Sequence, residues 1–257
     1  MRSLQGSLLS TQQFEAGEWP EPVEVLNQAG HSDIVLICEH ASNYIPASFD
    51  GLGLSDVDLK RHIAWDIGAE AVSRSLSALL DAPCFIGKYS RLLIDLNRPI
   101  ESATSIPVRS EATDIPGNVQ LSPGERQLRV DRIFTPFQAA ISAHLDRRKK
   151  YGRATSIVAI HSFTPIFLGQ ARPWETGVLF NKSTNFGRHL IDRLKQVTGL
   201  NIGANVPYVI DRQSDYAIPI HGEDRGLEAV LVEIRQDLIG HPEGQALWAD
   251  YLFKSLI

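Results

Sequence analysis

The chain has 257 residues, 43% apolar and 21% charged, which suits a globular protein able to bury a full core. Its 25 Lys and Arg against 30 Asp and Glu give a net charge of −5 with no basic tract, which speaks against a nucleic-acid or anionic-membrane partner. No apolar run approaches the roughly 20 residues that span a bilayer, and the opening MRSLQGSLLSTQQF is too weakly apolar for a secretory signal, so a cytoplasmic protein is expected.

Residues 1–30 read as a peripheral segment, since WPEPVEVLNQAG carries two prolines and a glycine turn. The run Ile34 to Cys38 is short, apolar and rich in β-branched side chains, the pattern of a buried strand. It leads into Glu39, His40, Ser42 and Asn43, at the strand end where open α/β sheets collect ligands and catalytic groups. A long polar connection follows, with a helical turn expected in SDVDLKRHI and a weak capping box from Ser55 to Asp58. Asp66 is expected to open a helix reaching about Leu80, because Ile67, Ala71, Val72, Leu76, Leu79 and Leu80 share one helical face. An aspartate there has two readings: a simple cap, or a metal or substrate contact.

Cys84 to Ile86 and Leu92 to Leu96 both read as strands, with Arg91, Asp95, Asn97 and Arg98 around the second and Pro99 stopping it. Residues 100–122 are irregular and long enough to suggest an active-site lid. A helix is expected from Ser122-Pro123-Gly124-Glu125 onward, bent or broken at Pro136, with His144 on its apolar stripe. SIVAIHSF reads as a buried strand with His161 at its exit. A polar loop with Arg172, a short strand from Val178 to Phe180, and a helix over TNFGRHLIDRLKQVTG capped by Gly199 come next. An irregular stretch containing His221 reads as a pocket rim, the strand from Glu228 to Ile234 carries Glu233, and ALWADYLFKSLI closes the chain as a helix. The two cysteines, Cys38 and Cys84, both in apolar surroundings, are expected as buried free thiols.

His40, His161, a carboxylate and Glu233 at strand ends are the parts of a catalytic zinc site. Such a site takes three protein ligands, often two histidines and a carboxylate. Here the imidazoles would be His40 and His161, and the sequence leaves Asp66, Glu39 and Asn43 open as the third ligand. Glu233 fits the general base, because an acid inside a β-branched strand costs several kcal/mol without a partner or a task. Arg98, with Asn97 beside it, offers a fork for a substrate carboxylate, which a lysine cannot match.

The segments EHASNYIP, HIAWDIGA, YSRLLIDLNRP, IHSFTP, RPWETGVLFN and VLVEIRQDLI together resemble the N-formylglutamate amidohydrolase family, over roughly residues 34–239. The resemblance implies one α/β hydrolase-type domain: a three-layer α/β/α sandwich with a mixed, mostly parallel sheet, zinc carboxypeptidase-like. It implies a hydrolase with a single zinc per chain that cleaves N-formyl-L-glutamate to formate and glutamate, a late step of histidine breakdown. Its metal ligands would be His40, Asp66 and His161, its acid/base Glu233, and its carboxylate clamps Arg98, Arg91 or Arg172. The opening motif departs from the Pro-His-x-Gly of the family's deformylases, reading Glu39-His40-Ala41-Ser42-Asn43, as in a divergent branch. Two alternatives stand beside this reading: a zinc amidase for another acylated amino acid or a peptidoglycan-type amide, and a non-catalytic binder of acidic metabolites. The sequence offers no basis for an oligomeric state.

Overall fold

The computed structural model describes residues 19–257. Seven strands form one sheet: β1 (Val23–Leu26), β2 (Ile34–Cys38), β3 (Cys84–Gly87), β4 (Ser156–Phe163), β5 (Thr176–Leu179), β6 (Ile202–Ala204) and β7 (Glu228–Arg235). Their order is β1-β3-β2-β4-β7-β5-β6. The four strands β3, β2, β4 and β7 run parallel, β5 and β6 are parallel to each other, and the β1–β3 and β7–β5 pairs are antiparallel.

The period-2 alternation of strand side chains divides the core into two layers of packing. On one face, Leu36, Val158, Ile160, Val230 and Val232 meet Leu76, Leu194, Trp248 and Leu252. Those last four come from α1 (Ala69–Leu80), α4 (Thr184–Thr198) and α5 (Pro242–Leu256). On the other, Val35, Ile37, Ile157, Ala159 and Leu231 meet Phe137, Ile141 and Leu145 of α3 (Thr135–Lys150). The protein is therefore a three-layer α/β/α sandwich with a mixed, mostly parallel sheet. Cys38 and Cys84 are buried free thiols within it.

Several local expectations meet their physical counterparts. Ser122 and Glu125 form a reciprocal capping box at the start of α2 (Pro123–Arg129). A π-helical segment, Val130–Phe134, joins α2 to α3. Pro136 lies in the first turn of α3, where it cannot donate the N–H of a regular i→i−4 bond, and the chain there takes a wider turn. Gly199 ends α4 at φ 68°, the left-handed geometry that glycine enters without penalty.

Three expectations need correction. Leu92 to Leu96 is not a strand but a buried run of turns. Its carbonyls are met by side chains instead of a neighbouring strand: Asn118 Nδ2 donates to Leu92, Arg129 Nη1 to Leu93 and Gln138 Nε2 to Leu96. Buried backbone groups need partners, and three polar side chains supply them here. Asp66 does not open α1, which begins at Ala69 behind Gly68 at φ 81°. A Cβ on Gly68 would lie 2.1 Å from the Ile239 carbonyl oxygen. In the segment expected to be peripheral, Val23–Leu26 pairs with β3 as an edge strand, while residues 1–18 lie outside the described region.

Candidate active site

The parallel strands β2, β4 and β7 bring polar residues to one end of the sheet. Val35 and Ile37, Ile157 and Ala159, and Ala229 and Leu231 all belong to the same core layer. The alternation therefore turns Glu39, His161 and Glu233 to that same side. Register places Glu233 beside His161 on the neighbouring strand. His40 follows Glu39, and its carbonyl accepts a 2.9 Å hydrogen bond from the Asp66 backbone N–H. That bond brings the start of the α1 segment to the strand end.

His40, Asp66 and His161 are all buried, and one potential ligand atom from each lies within 4.8 Å of the others. Both rings turn Nδ1 toward one oxygen, Asp66 Oδ2, at 3.4 Å from His40 and 2.9 Å from His161. Both turn Nε2 away, to a second carboxylate. His40 Nε2 lies 2.7 Å from Asp95 Oδ1, and His161 Nε2 lies 3.0 Å from Glu39 Oε2. The ring centroids are 4.8 Å apart with planes at 85°.

This arrangement has an electrostatic requirement. An imidazole that donates its Nε2–H to a carboxylate presents a lone pair at Nδ1. Two such lone pairs facing one carboxylate oxygen repel it unless a positive species lies between, either protons or a metal cation. The outer carboxylates match the supports that metal-bound histidines generally carry, fixing tautomer and ring orientation. Burial opposes charge on His161, but Glu39 and Asp66 hold its imidazolium form well above the usual histidine range. Burial likewise opposes charge on Asp66, and His40 and His161 outweigh it, holding the carboxyl below the usual range. Asp66 is thus a buried carboxylate facing two imidazoles and the Arg91 guanidinium, not a helix cap. Its other oxygen accepts from Arg91 Nη1 at 3.2 Å, and the Ser162 backbone N–H donates to Oδ2 at 3.3 Å.

Glu233 differs from the other acids. Burial pushes its carboxyl up to about 7, and its Oε2 is buried with no hydrogen-bond partner among the described residues. Among the described residues it forms none of the ion pairs that would make it a structural acid: Arg235 instead binds Asp237 and Glu175, and Arg98 faces Asp215. A carboxyl poised near neutrality beside a cation site is the arrangement general acid–base chemistry needs.

His40, Asp66, His161 and Glu233 line a cavity of about 480 Å³, within the range of small-molecule sites. Arg91, Asn97 and Arg98 line it too, but in different ways. Arg91 is engaged by Asp66 and by Asp95, at 2.8 Å to the latter. Asn97 is buried, and its Oδ1 accepts the backbone N–H groups of Tyr216 and Ala217, which ties the 215–217 turn to the site. Arg98 is partly exposed, 3.5 Å from Asp215. Arg172 and His221 are not among the lining residues. Arg172 stacks on Phe167 and Tyr208, which do line it. His221 Nε2–H donates to Gln138 Oε1 at 2.7 Å.

Of the candidates for the carboxylate ligand, Asp66 faces the shared point, Glu39 stands behind His161, and Asn43 donates to the Leu59 carbonyl. Sequence reading missed Asp95 as the support of His40. It also missed Tyr208, Asp215 and the 109–111 segment as cavity lining. Only the Arg91–Asp95 spacing hinted at the first, and nothing local marks the others. The region expected as a lid, 100–122, contains a two-stranded hairpin, Arg109–Ser110 with Thr113–Asp114. Arg61 pins it through Glu111 and Thr113, each at 2.8 Å. No helix among the described residues is long and apolar enough to cross a membrane.

Comparison with known proteins places the chain among relatives of the same fold. Residues 32–240 match the N-formylglutamate amidohydrolase family. Among solved structures the chain is similar to a gene product of Agrobacterium tumefaciens, with 37% identity, a TM-score of 0.90, and coverage of 95% of this chain and 98% of that one. It is also similar to an N-formylglutamate amidohydrolase from Ralstonia eutropha, with a TM-score of 0.68, 18% identity, and coverage of 92% and 96%. At that identity the second likeness speaks for the fold. No curated protein matches the sequence.

Proposed function

We infer a function for a chain that belongs to the N-formylglutamate amidohydrolase family: zinc-assisted hydrolysis of the amide in a small, acidic N-acyl amino acid, N-formyl-L-glutamate foremost. The observation that carries this reading is the pair of histidines aimed at one Asp66 oxygen, each backed by its own carboxylate. The donor set fits zinc. Four-coordinate zinc with bonds of about 2.0–2.1 Å needs neighbouring donors roughly 3.3 Å apart, and the two nitrogen–oxygen separations here are 3.4 and 2.9 Å.

His40, Asp66 and His161 would hold the metal. When bound, zinc supplies a Lewis acid for the acyl oxygen and lowers the pKa of a water toward about 7. Glu233, near neutrality and without a partner at Oε2, takes a proton from water as it adds to the acyl carbon and returns it to the departing amine nitrogen. The products are the carboxylic acid, formate for a formyl group, and the free amino acid. Arg98 is the clamp for a substrate carboxylate, because it lines the cavity and is partly exposed. Arg91 acts differently, holding Asp66 and Asp95 in position. Asn97 fixes the turn that carries Asp215, and Arg172 orients Tyr208 at the rim, donating to its hydroxyl at 3.0 Å.

A second reading, hydrolysis of an amide with a larger acyl group, draws support from the apolar rim. Phe167, Tyr208 and Val209 line the mouth, and Val209 is 68% exposed. A hydrolysis screen of N-formyl, N-acetyl, N-succinyl and longer N-acyl amino acids, with and without zinc, separates the readings. Turnover greatest on N-formylglutamate supports the first, and turnover rising with acyl length supports the second. Ligand-induced stabilisation without turnover on any of them, zinc supplied, would contradict both.

A further inference from the structure

A second charged cavity lies at the opposite end of the sheet. It measures about 390 Å³ and is lined by Arg147, Arg148 and Arg153 together with His144, Tyr151 and Gln28. These residues precede β2 and β4, which begin at Ile34 and Ser156. The strand from Ser156 to His161 sets the two sites ~17 Å apart.

The bland reading of basic residues at the end of α3 is that they serve its C-terminal dipole. Lys149 and Lys150 are exposed and suit that role. Arg148 does not, being 2% exposed. Its Nε donates to Thr155 Oγ1, and its Nη2 donates to the carbonyls of Ser32 and Ala154. Its Nη1 is buried without a partner among the described residues. His144 repeats the pattern. Arg147 Nη2 donates to its Nδ1 at 3.0 Å, which leaves the ring proton on Nε2, and that buried donor also has no partner.

Among the described residues no carboxylate lines the cavity. The nearby acids sit outside it: Asp33 is 4.0 Å from Arg148 with its side chain 70% exposed, and Asp81 is occupied by His31. The guanidinium groups of Arg147 and Arg153 therefore line the same cavity as Arg148 and His144, whose Nη1 and Nε2 are buried donors left unused among the described residues. Burial and the three arginines push His144 down to about 4, and burial and Arg153 lower Arg148. Burial is the larger cause in both, and the neighbouring arginines add to it, a repulsion that a bound anion would relieve.

We propose that this cavity binds a small phosphate-bearing anion, with the arginine forks and His144 Nε2–H on the phosphate oxygens. Guanidinium groups pair with phosphate in bidentate geometry. The volume leaves room for a group beyond the phosphate, against the Tyr151 ring and Gln28. The phosphate could be the free ion or part of a phosphorylated metabolite.

The test is isothermal titration of the metal-loaded full chain at constant ionic strength, with inorganic phosphate, pyrophosphate and a nucleoside monophosphate. One saturable site is expected, weakened at least tenfold in Arg147→Gln and in Arg153→Gln, both with unchanged amide hydrolysis. Tighter binding of the nucleotide than of phosphate assigns the site to phosphorylated metabolites, and the reverse order assigns it to the free ion. The control is Lys149→Gln combined with Lys150→Gln, which removes the same kind of charge from the same helix end and is expected to leave affinity nearly intact. Absence of saturable binding of all three anions up to about 10 mM would overturn the proposal. So would equal weakening in the lysine control, which would indicate only a diffuse positive field.

Discussion

Replacing the carboxylates behind the histidines, without touching the ligands themselves, probes the candidate metal centre most selectively. Glu39→Gln keeps an oxygen that can accept from His161 Nε2 and removes only the charge. Asp95→Asn does the same for His40, and both acids are buried. Removing an outer partner of a metal-bound histidine generally costs about 10–100-fold in affinity, or roughly 1.4–2.7 kcal/mol. The structure ranks the two. Asp95 already shares its charge with Arg91, at 2.8 and 3.1 Å. Among the described residues Glu39 has only histidine opposite one oxygen, and its other oxygen has no partner. Glu39→Gln should therefore fall near the 100-fold end and Asp95→Asn near tenfold. Competition of metal-free protein against a chromophoric chelator measures both affinities. Wild-type affinity in both variants would refute the role given to these carboxylates, and the reverse ranking would refute the argument from Arg91.

Glu233→Gln should lower kcat by about 10²–10⁴-fold, the usual contribution of a general acid–base group, with metal content and KM nearly unchanged; a variant that instead loses metal would make Glu233 a ligand. His221 is held down to about 4, by burial and then Arg225. Because the unfolded chain protonates first, stability should fall as pH drops from about 6.5 toward 4, by on the order of 3 kcal/mol in all. Denaturant titrations of wild type and His221→Gln should diverge in that window and run parallel above pH 7. Asn118→Ala strips the partner from the Leu92 and Pro107 carbonyls, at about 1–3 kcal/mol for each orphaned group. Denaturant unfolding should register that loss, and the activity of the folded fraction should drop because the same segment carries Arg91, Asp95 and Arg98; full stability in this variant would contradict the account of the 92–96 turns.

The parts of the fold that sequence made legible are those in which local pattern and tertiary environment agree. The apolar runs of β2, β4 and β7 are buried on both faces, so they read as continuous strands. Ser122 and Glu125 cap α2 through neighbours in sequence. Leu92 to Leu96 misled because its apolar side chains do face the core while its backbone is satisfied by Asn118, Arg129 and Gln138, residues 26 to 42 positions away. No local signal carries such distant bonds. The same limit governs the site. His40 and His161 were visible as polar interruptions at strand exits, and Glu233 as an acid in a β-branched strand. Asp95 as the partner of His40, and Tyr208 and Asp215 as cavity walls, depend on long connections whose paths only the folded chain defines.

The central claim is that His40, Asp66 and His161 hold one divalent metal. Elemental analysis of the purified wild type alongside the His40→Ala, His161→Ala double variant tests it directly. The account predicts about one zinc per wild-type chain and none above background in the double variant, with circular dichroism showing both folded. Stoichiometric zinc persisting in the folded double variant would contradict it.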